Sequence, residues 1–221
     1  MKKEDILNAV KAVKEASKKR NFKQSIDLII NLKGYDVKKQ PIESYITLPK
    51  TRKKKLKIAA IVDKDLSIEA KDVFDKVILK DDFGEWQGNN KVIRKLAREY
   101  DYFVGQANIM PQIAMVFGKF FGPKQKMPNP KSGAIIQAKA ASLKPLYEKL
   151  QQTVKIATKN EAIVKCFVGT EENDDEELVD NIMAVYNSLL SSLPGEESNV
   201  KSIIIKTTMG KPYKIITGEK R

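Results

Sequence analysis

The sequence contains no histidine and a single cysteine, Cys166, among its 221 residues. These absences exclude disulfides, zinc sites built from cysteine and histidine, and catalytic triads that use an imidazole. A metal site made of carboxylates, or chemistry by lysine or carboxylate, stays open. Cys166 lies in the apolar stretch AIVKCFV, which predicts a buried strand and an inert thiol. Much of the enzyme repertoire is therefore excluded.

Long apolar runs are also missing. No stretch reaches the roughly eighteen apolar residues that a membrane-spanning helix needs. The N-terminus, MKKEDILNAVKAVKEA, has acids in its first turn and no apolar core of a signal peptide. We therefore expect a cytoplasmic protein with no membrane partner.

Neither glycine fingerprint of a phosphate-binding loop occurs, whether G-x-G-x-x-G after a strand or G-x-x-x-x-G-K-[ST]. The nearest segment is GKFFGPKQKMPNPKSG at 118–133, whose spacing fits neither fingerprint. Its prolines and glycines predict a rigid surface loop, and its lysines suit contact with an RNA backbone. The candidate contact residues in this basic loop are Gly122, Lys124, Lys126, Met127, Asn129 and Lys131.

Acidic residues at predicted strand ends are the remaining enzyme-like feature. They are Asp63, Asp65, Asp81, Asp82 and Glu85. Acids at such positions form turns and cap helices more often than they bind magnesium, so we predict no metal, no cofactor and no catalytic residue. The alternative hypothesis is an enzyme that acts on a phosphate-bearing substrate and uses this region as its catalytic half.

Positive charge is abundant: 41 lysines and arginines face 28 acids, a net charge of +13. The first 57 residues hold 17 bases and 6 acids, and the segment KTRKKKLK at 50–57 contributes six of those bases. Such a field attracts polyanions, with nucleic acid first and anionic membranes second. A non-specific basic nucleic-acid binder is therefore a further alternative.

The hydrophobic pattern predicts two domains. Apolar residues at helical spacing and then at period two indicate a helix and a half-buried strand near the N-terminus. From Leu56 strands and helices alternate, and after about residue 152 the earlier pattern returns. We predict an α/β and α+β protein, in which a discontinuous outer α+β domain (1–52 and 153–221) carries an inserted Rossmann-like three-layer α/β domain (53–152).

The segment KTTMGKPYK at 206–214 follows an apolar strand and places two hydroxyls beside a methionine and a glycine. Threonine hydroxyls bond 2′-hydroxyls and phosphates, glycine permits close approach, and methionine packs on a sugar or base face. An ordinary hairpin with Met209 tucked inward fits the same residues equally well. The sequence pattern alone leaves both interpretations open.

Three motifs occur in the order typical of one family: NFKQSIDLIINLK, FGPKQKMPNPKSG and TTMG. Over essentially its whole length the chain resembles the ribosomal protein L-one family, the stalk protein of the large ribosomal subunit. Its short, lysine-rich N-terminus is similar to archaeal members. The resemblance implies a non-catalytic protein whose outer domain binds large-subunit rRNA through Phe22, Ser25, Thr207, Thr208, Met209 and Gly210. We add Lys23 to this predicted site for its positive charge.

The resemblance also implies the protein's location and partners. It would be ribosome-associated at the mobile stalk near the tRNA exit site, assist release of deacylated tRNA, repress its own mRNA through an rRNA-like site, and be a monomer when free. Two positions depart from the pattern of many bacterial members, because Gln24 replaces an acid and Lys211 precedes Pro212. Long-range attraction would come from Lys2, Lys3, Lys18, Lys19, Arg20 and Lys23.

Overall fold

A computed structural model describes residues 1–137, 143–158 and 161–215. The chain divides into two compact units. The outer unit holds Met1–Lys54 and the chain from Gln152 on, and the inserted unit holds Lys55–Gln151. The divisions thus fall after Lys54 and Gln151, whereas the sequence predicts them after residues 52 and 152.

The helices and strands are numbered in chain order. The first part comprises α1 (Lys3–Glu15), β1 (Ser25–Leu32), β2 (Glu43–Thr47), β3 (Ile58–Val62), α2 (Ser67–Val73), β4 (Lys76–Leu79), α3 (Phe83–Trp86), α4 (Asn90–Glu99) and β5 (Tyr102–Gln106). The second comprises α5 (Met110–Phe121), β6 (Ile135–Ile136), α6 (Lys144–Gln152), β7 (Thr153–Ala157), β8 (Ile163–Thr170), α7 (Asp175–Leu190), β9 (Val200–Thr207) and β10 (Tyr213–Ile215).

The outer unit contains an antiparallel sheet in the order β10-β9-β1-β8. Alternate residues of β1 are buried, as the period of two in its sequence predicts, and α1 and α7 pack on that buried face. Strands β2 and β7 form a separate antiparallel pair. Burial of one apolar face of the sheet under two helices thus builds the core of this unit.

The inserted unit contains a parallel sheet in the order β4-β3-β5-β6. Every residue of β3 is buried, as expected for a strand covered on both faces. Ala59 and Ile61 pack into one apolar cluster with α4 and α5, while Ile58, Ala60 and Val62 pack into another with α2 and α6. The predicted fold class, mixed α/β with a three-layer inserted part, is confirmed.

Two of the five strand-end acids of the inserted unit, Asp63 and Asp81, have local structural partners. Asp63 accepts a hydrogen bond from the Lys64 backbone N–H at 2.8 Å and faces Lys80 at 3.6 Å, while Asp81 pairs with Lys64 at 2.6 Å. No group of three or more acidic, cysteine or histidine residues suited to a metal ion occurs within the described ranges. Cys166 is buried, and burial raises the pKa of its thiol to about 12.

Candidate nucleic-acid interface

Strands β1 and β9 bring the two end motifs of the chain together. Ile26 lies opposite Thr207, and the Thr208 backbone N–H donates to the Ser25 carbonyl at 3.0 Å. The Ser25 backbone N–H in turn donates to Thr208 Oγ1 at 3.0 Å. Residues 22–25 and 207–210 therefore lie side by side, although about 180 residues separate them in the sequence.

Two large apolar side chains project at this end of the sheet. Phe22 is 50% exposed and Met209 is 62% exposed. The Met209 backbone lies next to the Gln24 side chain, two residues after Phe22, so both projections belong to one surface. We name the exposed part of this end, Phe22, Ser25, Thr208 and Met209, the strand-tip surface. The segment does form a hairpin loop between the antiparallel strands β9 and β10, but Met209 is exposed, so the alternative in which this methionine is tucked inward is wrong.

Thr207 differs from the sequence expectation, because its side chain is fully buried. Alternate residues of β9 face the core, and Thr207 continues the series of Ile203 and Ile205. Its hydroxyl lies 3.5 Å from that of Ser17, inside the unit. The expected direct contact of the Thr207 side chain with a ligand is therefore corrected to a structural role.

Gly210 shapes the turn that presents Met209. Its backbone N–H donates to the Thr207 carbonyl at 3.1 Å. A Cβ at this position would lie only 2.1 Å from Thr207 Oγ1, so any larger residue would displace the buried threonine. The glycine is thus required for the shape of the loop.

Gln24, which in the sequence is only a departure from the pattern of many bacterial members, is a component of the site. Its side chain is 1% exposed. The amide nitrogen donates to Ser17 Oγ at 2.8 Å and to the Lys18 carbonyl at 3.1 Å, while the amide oxygen accepts from the Met209 backbone N–H at 3.3 Å. One buried amide therefore joins the segment after α1 to the loop that carries Met209.

Glu171, in the turn before α7, completes this arrangement. Its carboxylate accepts from the Gln24 backbone N–H at 3.1 Å, and its own backbone N–H donates to the Gln24 carbonyl at 3.1 Å. The period of two that buries Ile26 and Leu28 also directs Gln24 inward. That alternation is the sequence signal that identifies Gln24 as a buried residue of the site.

The basic residues beside the strand-tip surface differ in how they are paired. Lys23 lies 2.9 Å from Glu172, but both side chains are substantially exposed, so the pair adds little stability. Within the described part of the chain, no ion pair involves Lys18, Lys19 or Arg20, all of which are on the surface. These three side chains provide positive charge next to the exposed Phe22.

The basic loop of the inserted unit uses several of its candidate residues internally. Lys126 donates to the Tyr100 carbonyl at 2.6 Å, and burial lowers the pKa of its ammonium group. Met127 packs against the apolar cluster of α4 and α5, and Asn129 Oδ1 accepts from the Lys131 backbone N–H at 2.9 Å. These three half-buried side chains therefore have structural roles within the loop, and their contacts with RNA stay a prediction.

The other candidates in this loop lie on the surface. Gly122, Lys124 and Lys131 are exposed. Gly122 caps the C-terminal end of α5, where its backbone N–H donates to the Gly118 carbonyl at 2.9 Å. Two of the three candidate lysines in the loop, Lys124 and Lys131, are thus exposed, while Lys126 is half-buried.

The described residues include no helix that is both long enough and apolar enough to cross a membrane. Residues 12–211 match the profile of the ribosomal protein L1p/L10e family. The large ribosomal subunit protein uL1 of Methanothermobacter thermautotrophicus is 40% identical over 96% of this chain and 99% of the relative. The protein of the same name from Pyrococcus abyssi is 38% identical over 95% of this chain and 94% of the relative. The one from Nanoarchaeum equitans is 36% identical over 95% of this chain and 99% of the relative.

The family match spans both units, including the strand-tip surface and the basic loop. The relatives are archaeal and their similarity covers nearly the whole chain, so the resemblance read from the three motifs is confirmed. The chain belongs to the ribosomal protein L1p/L10e family, whose members are structural proteins of the large ribosomal subunit and not enzymes.

Proposed function

We propose that this protein binds large-subunit rRNA at the mobile stalk through the strand-tip surface. The observation that carries the proposal is the exposure of Phe22 and Met209 at one hydrogen-bonded end of the outer sheet. Exposed apolar side chains suit stacking on bases and sugars, which RNA offers where its strands are not fully paired. Thr208 adds a hydroxyl for sugars and phosphates.

The preformed loops support recognition of RNA shape. The hydrogen bonds of Gln24 and Thr208 hold both loops in place without any ligand. A site that is ordered before binding loses less conformational entropy when RNA docks. Lys18, Lys19 and Arg20 then attract the phosphate backbone over a longer range. The strand-tip surface would provide specificity. The basic side chains Lys18, Lys19 and Arg20 would determine the rate and the salt sensitivity of association.

The proposal extends to the roles of the bound stalk. At the edge of the subunit near the tRNA exit site, the protein assists release of deacylated tRNA. It also represses translation of its own mRNA where that message presents an rRNA-like fold, because one surface cannot distinguish two RNAs of the same shape. Tighter binding to rRNA restricts repression to conditions in which free protein is in excess.

Binding measurements with an rRNA stalk fragment and a scrambled RNA of equal length test this function. Both RNAs are titrated with the intact protein at low and at high salt. The proposal predicts a strong preference for the stalk fragment that persists at high salt, because stacking and hydrogen bonding are screened less than charge attraction. Equal affinities that collapse together as salt rises would identify a non-specific basic nucleic-acid binder instead.

A further inference from the structure

Helix α4 of the inserted unit presents a row of basic side chains to solvent. Its buried face consists of Ile93, Leu96 and Ala97. The exposed basic residues follow helical spacing, so they share the opposite side of the helix. These residues are Lys91, Arg94, Lys95 and Arg98. We name them the α4 basic face.

The α4 basic face is not neutralised by acids. The only acid on α4 is Glu99, and it pairs with Lys57 at 3.4 Å. Across the described residues, no ion pair includes any of the four bases of this face. The face therefore carries four uncompensated positive charges.

Several other lysines of the same unit do have acidic partners. Lys55 faces Asp75 at 3.3 Å. As described above, Lys64 and Lys80 lie close to Asp81 and Asp63. In the inserted unit, lysines near the strand ends thus pair with aspartates, whereas the basic side chains of α4 form no ion pair among the described residues. This contrast distinguishes α4 from an ordinary solvated surface with mixed charges.

Like charges four residues apart on a helix repel each other, and α4 has two such pairs, Lys91 with Lys95 and Arg94 with Arg98. A polyanion that lies along the face removes this repulsion. The row from residue 91 to residue 98 rises by roughly 10 Å, which is long enough to follow a stretch of nucleic-acid backbone. The arrangement therefore favours an extended anionic ligand over a single small anion.

Arg94 is held in place by an aromatic ring of the neighbouring helix. Its guanidinium carbon lies 5.7 Å from the centre of the Phe120 ring on α5. Stacking on a ring covers one face of a guanidinium and leaves its N–H edges free for phosphate oxygens. Lys119, on the surface of α5, adds a further base next to Phe120.

We propose that the α4 basic face is a second RNA-docking surface, which binds the phosphate backbone of the large-subunit rRNA. This inference rests on the proposed function, because the RNA is the one that the strand-tip surface recognises. The α4 basic face offers charge and no apolar stacking pair, so it contributes affinity without sequence preference. It also differs from the basic loop, where Lys126 is occupied by an internal hydrogen bond.

Two variants of equal charge test the inference in the intact protein. In the first, Lys91, Arg94, Lys95 and Arg98 are all replaced by glutamine. In the matched control, the four paired lysines Lys55, Lys57, Lys64 and Lys80 are replaced by glutamine. Thermal unfolding confirms that both variants fold, and affinity for a long rRNA stalk fragment is measured at several salt concentrations.

The α4 variant is expected to lose about tenfold or more in affinity at low salt. Its slope of log K against log salt is expected to fall in magnitude by about two to four, because each lost phosphate contact contributes roughly 0.7 to 0.9. The control variant is expected to change the slope by less than about one. Equal losses in the two variants would show that only net charge matters and would overturn the inference.

Further outcomes separate this inference from the proposed function. If the wild-type protein shows no preference for the stalk fragment, the proposed function fails and the α4 assignment fails with it. If the wild type prefers the fragment and the α4 variant binds as tightly, only the α4 assignment fails. Loss of binding to phosphatidylserine vesicles with unchanged RNA affinity would identify a membrane surface as the partner and would also overturn it.

Discussion

The strand-tip surface and the basic loop at 122–131 are both candidate RNA contacts in the sequence, but they differ in how many of their candidate side chains the fold leaves exposed. At the strand tip, buried polar groups such as Gln24 hold the backbone while Phe22 and Met209 project outward. In the basic loop, Lys126 and Met127 turn inward and stabilise the loop itself. The first region keeps its recognition groups free, and the second uses half of its candidates internally.

This difference shows that the number of basic residues in a segment is a poor guide to a binding site. What matters is which side chains remain exposed after the fold has satisfied its own hydrogen bonds. By that criterion both the strand-tip surface and the α4 basic face are stronger candidates for RNA binding than the basic loop.

The largest effect is expected for Met209→Asp, which places a carboxylate where we propose that RNA stacks. Stacking is worth about 1 to 3 kcal/mol per base, and repulsion of phosphates adds to the loss, so affinity for the stalk fragment should fall about 100-fold. Met209 is exposed, so the thermal unfolding temperature should hardly change. Equilibrium titration with the stalk fragment measures the effect.

Ile68→Asp is the matched control, because Ile68 is 78% exposed on α2 of the inserted unit, which packs on the opposite face of the parallel sheet from α4 and α5. It removes an exposed apolar side chain and adds the same charge outside both proposed RNA-docking surfaces. We expect a change in affinity of less than about threefold, the size of a peripheral charge effect. Similar losses in the two variants would mean that the strand tip has no special role.

The next effect is expected for Gln24→Glu, which preserves shape but removes two amide donors. An ionised carboxylate cannot donate to the Lys18 carbonyl and would face Glu171, whose Oε2 lies 3.4 Å from the Gln24 amide nitrogen. The neighbouring charged residues are Lys23, directly before Gln24, and Glu172, directly after Glu171, and these two form an ion pair with each other. We expect about a tenfold loss of RNA affinity near pH 8, equivalent to roughly 1.4 kcal/mol.

This loss should diminish as the pH falls toward about 5.5. Burial and the Glu171 carboxylate both raise the pKa of the introduced acid, and its protonated form again has a proton to donate. The wild type contains no histidine, so its affinity should stay nearly constant over this range. Gln40→Glu, at an exposed position of the outer unit, is the control. A loss that is independent of pH would contradict the positioning role of Gln24.

A smaller effect is expected for Thr208→Val, which keeps the branched shape but removes the hydroxyl. The Ser25 backbone N–H then loses its acceptor at 3.0 Å, and the surface loses one group for RNA. One hydrogen bond is worth about 0.5 to 1.5 kcal/mol, so affinity should fall about 3- to 10-fold. Thr208→Ser should retain most of the binding. If the valine and serine variants bind alike, the hydroxyl has no part in recognition.

The smallest effect on binding is expected in the basic loop. Lys126→Met leaves the Tyr100 carbonyl without its donor and should lower the free energy of unfolding by about 1 kcal/mol while RNA affinity stays within about twofold. Lys124→Gln, at an exposed position, should leave stability unchanged and reduce the salt slope by less than about one. Chemical denaturation and RNA titration of both variants distinguish the two roles. A large loss of affinity in Lys126→Met would restore this lysine as a contact.

Much of the architecture could be predicted from the sequence, because hydrophobic periodicity reports directly on burial. The period of two in β1, the alternation of strands and helices after Leu56 and the return of the first pattern near residue 152 indicate the two-unit fold. The same periodicity extends to residue 207 and predicts that the Thr207 side chain lies inside. The motif alone suggests a contact there, because a motif does not say which face of a strand each of its residues occupies.

The contacts that residues of the basic loop make inside their own unit could not be predicted from periodicity. Lys126 bonds a carbonyl 26 residues earlier in the chain, and no local pattern indicates such a contact. The same holds for Gln24 and Met209, whose hydrogen bond joins segments 185 residues apart. Long-range polar contacts depend on the packed tertiary structure, so they decide which candidate residues stay free only once the chain has folded.

The most direct test follows the methyl groups of Met209 and Ile68 by NMR in the intact, methyl-labelled protein as the stalk fragment is added. Both side chains are highly exposed in the free protein, and they serve as reporter and internal control. We expect the Met209 signal to shift or broaden in step with binding while the Ile68 signal, on α2 across the sheet from α4, stays in place. An unchanged Met209 signal at saturating RNA would contradict recognition by the strand-tip surface.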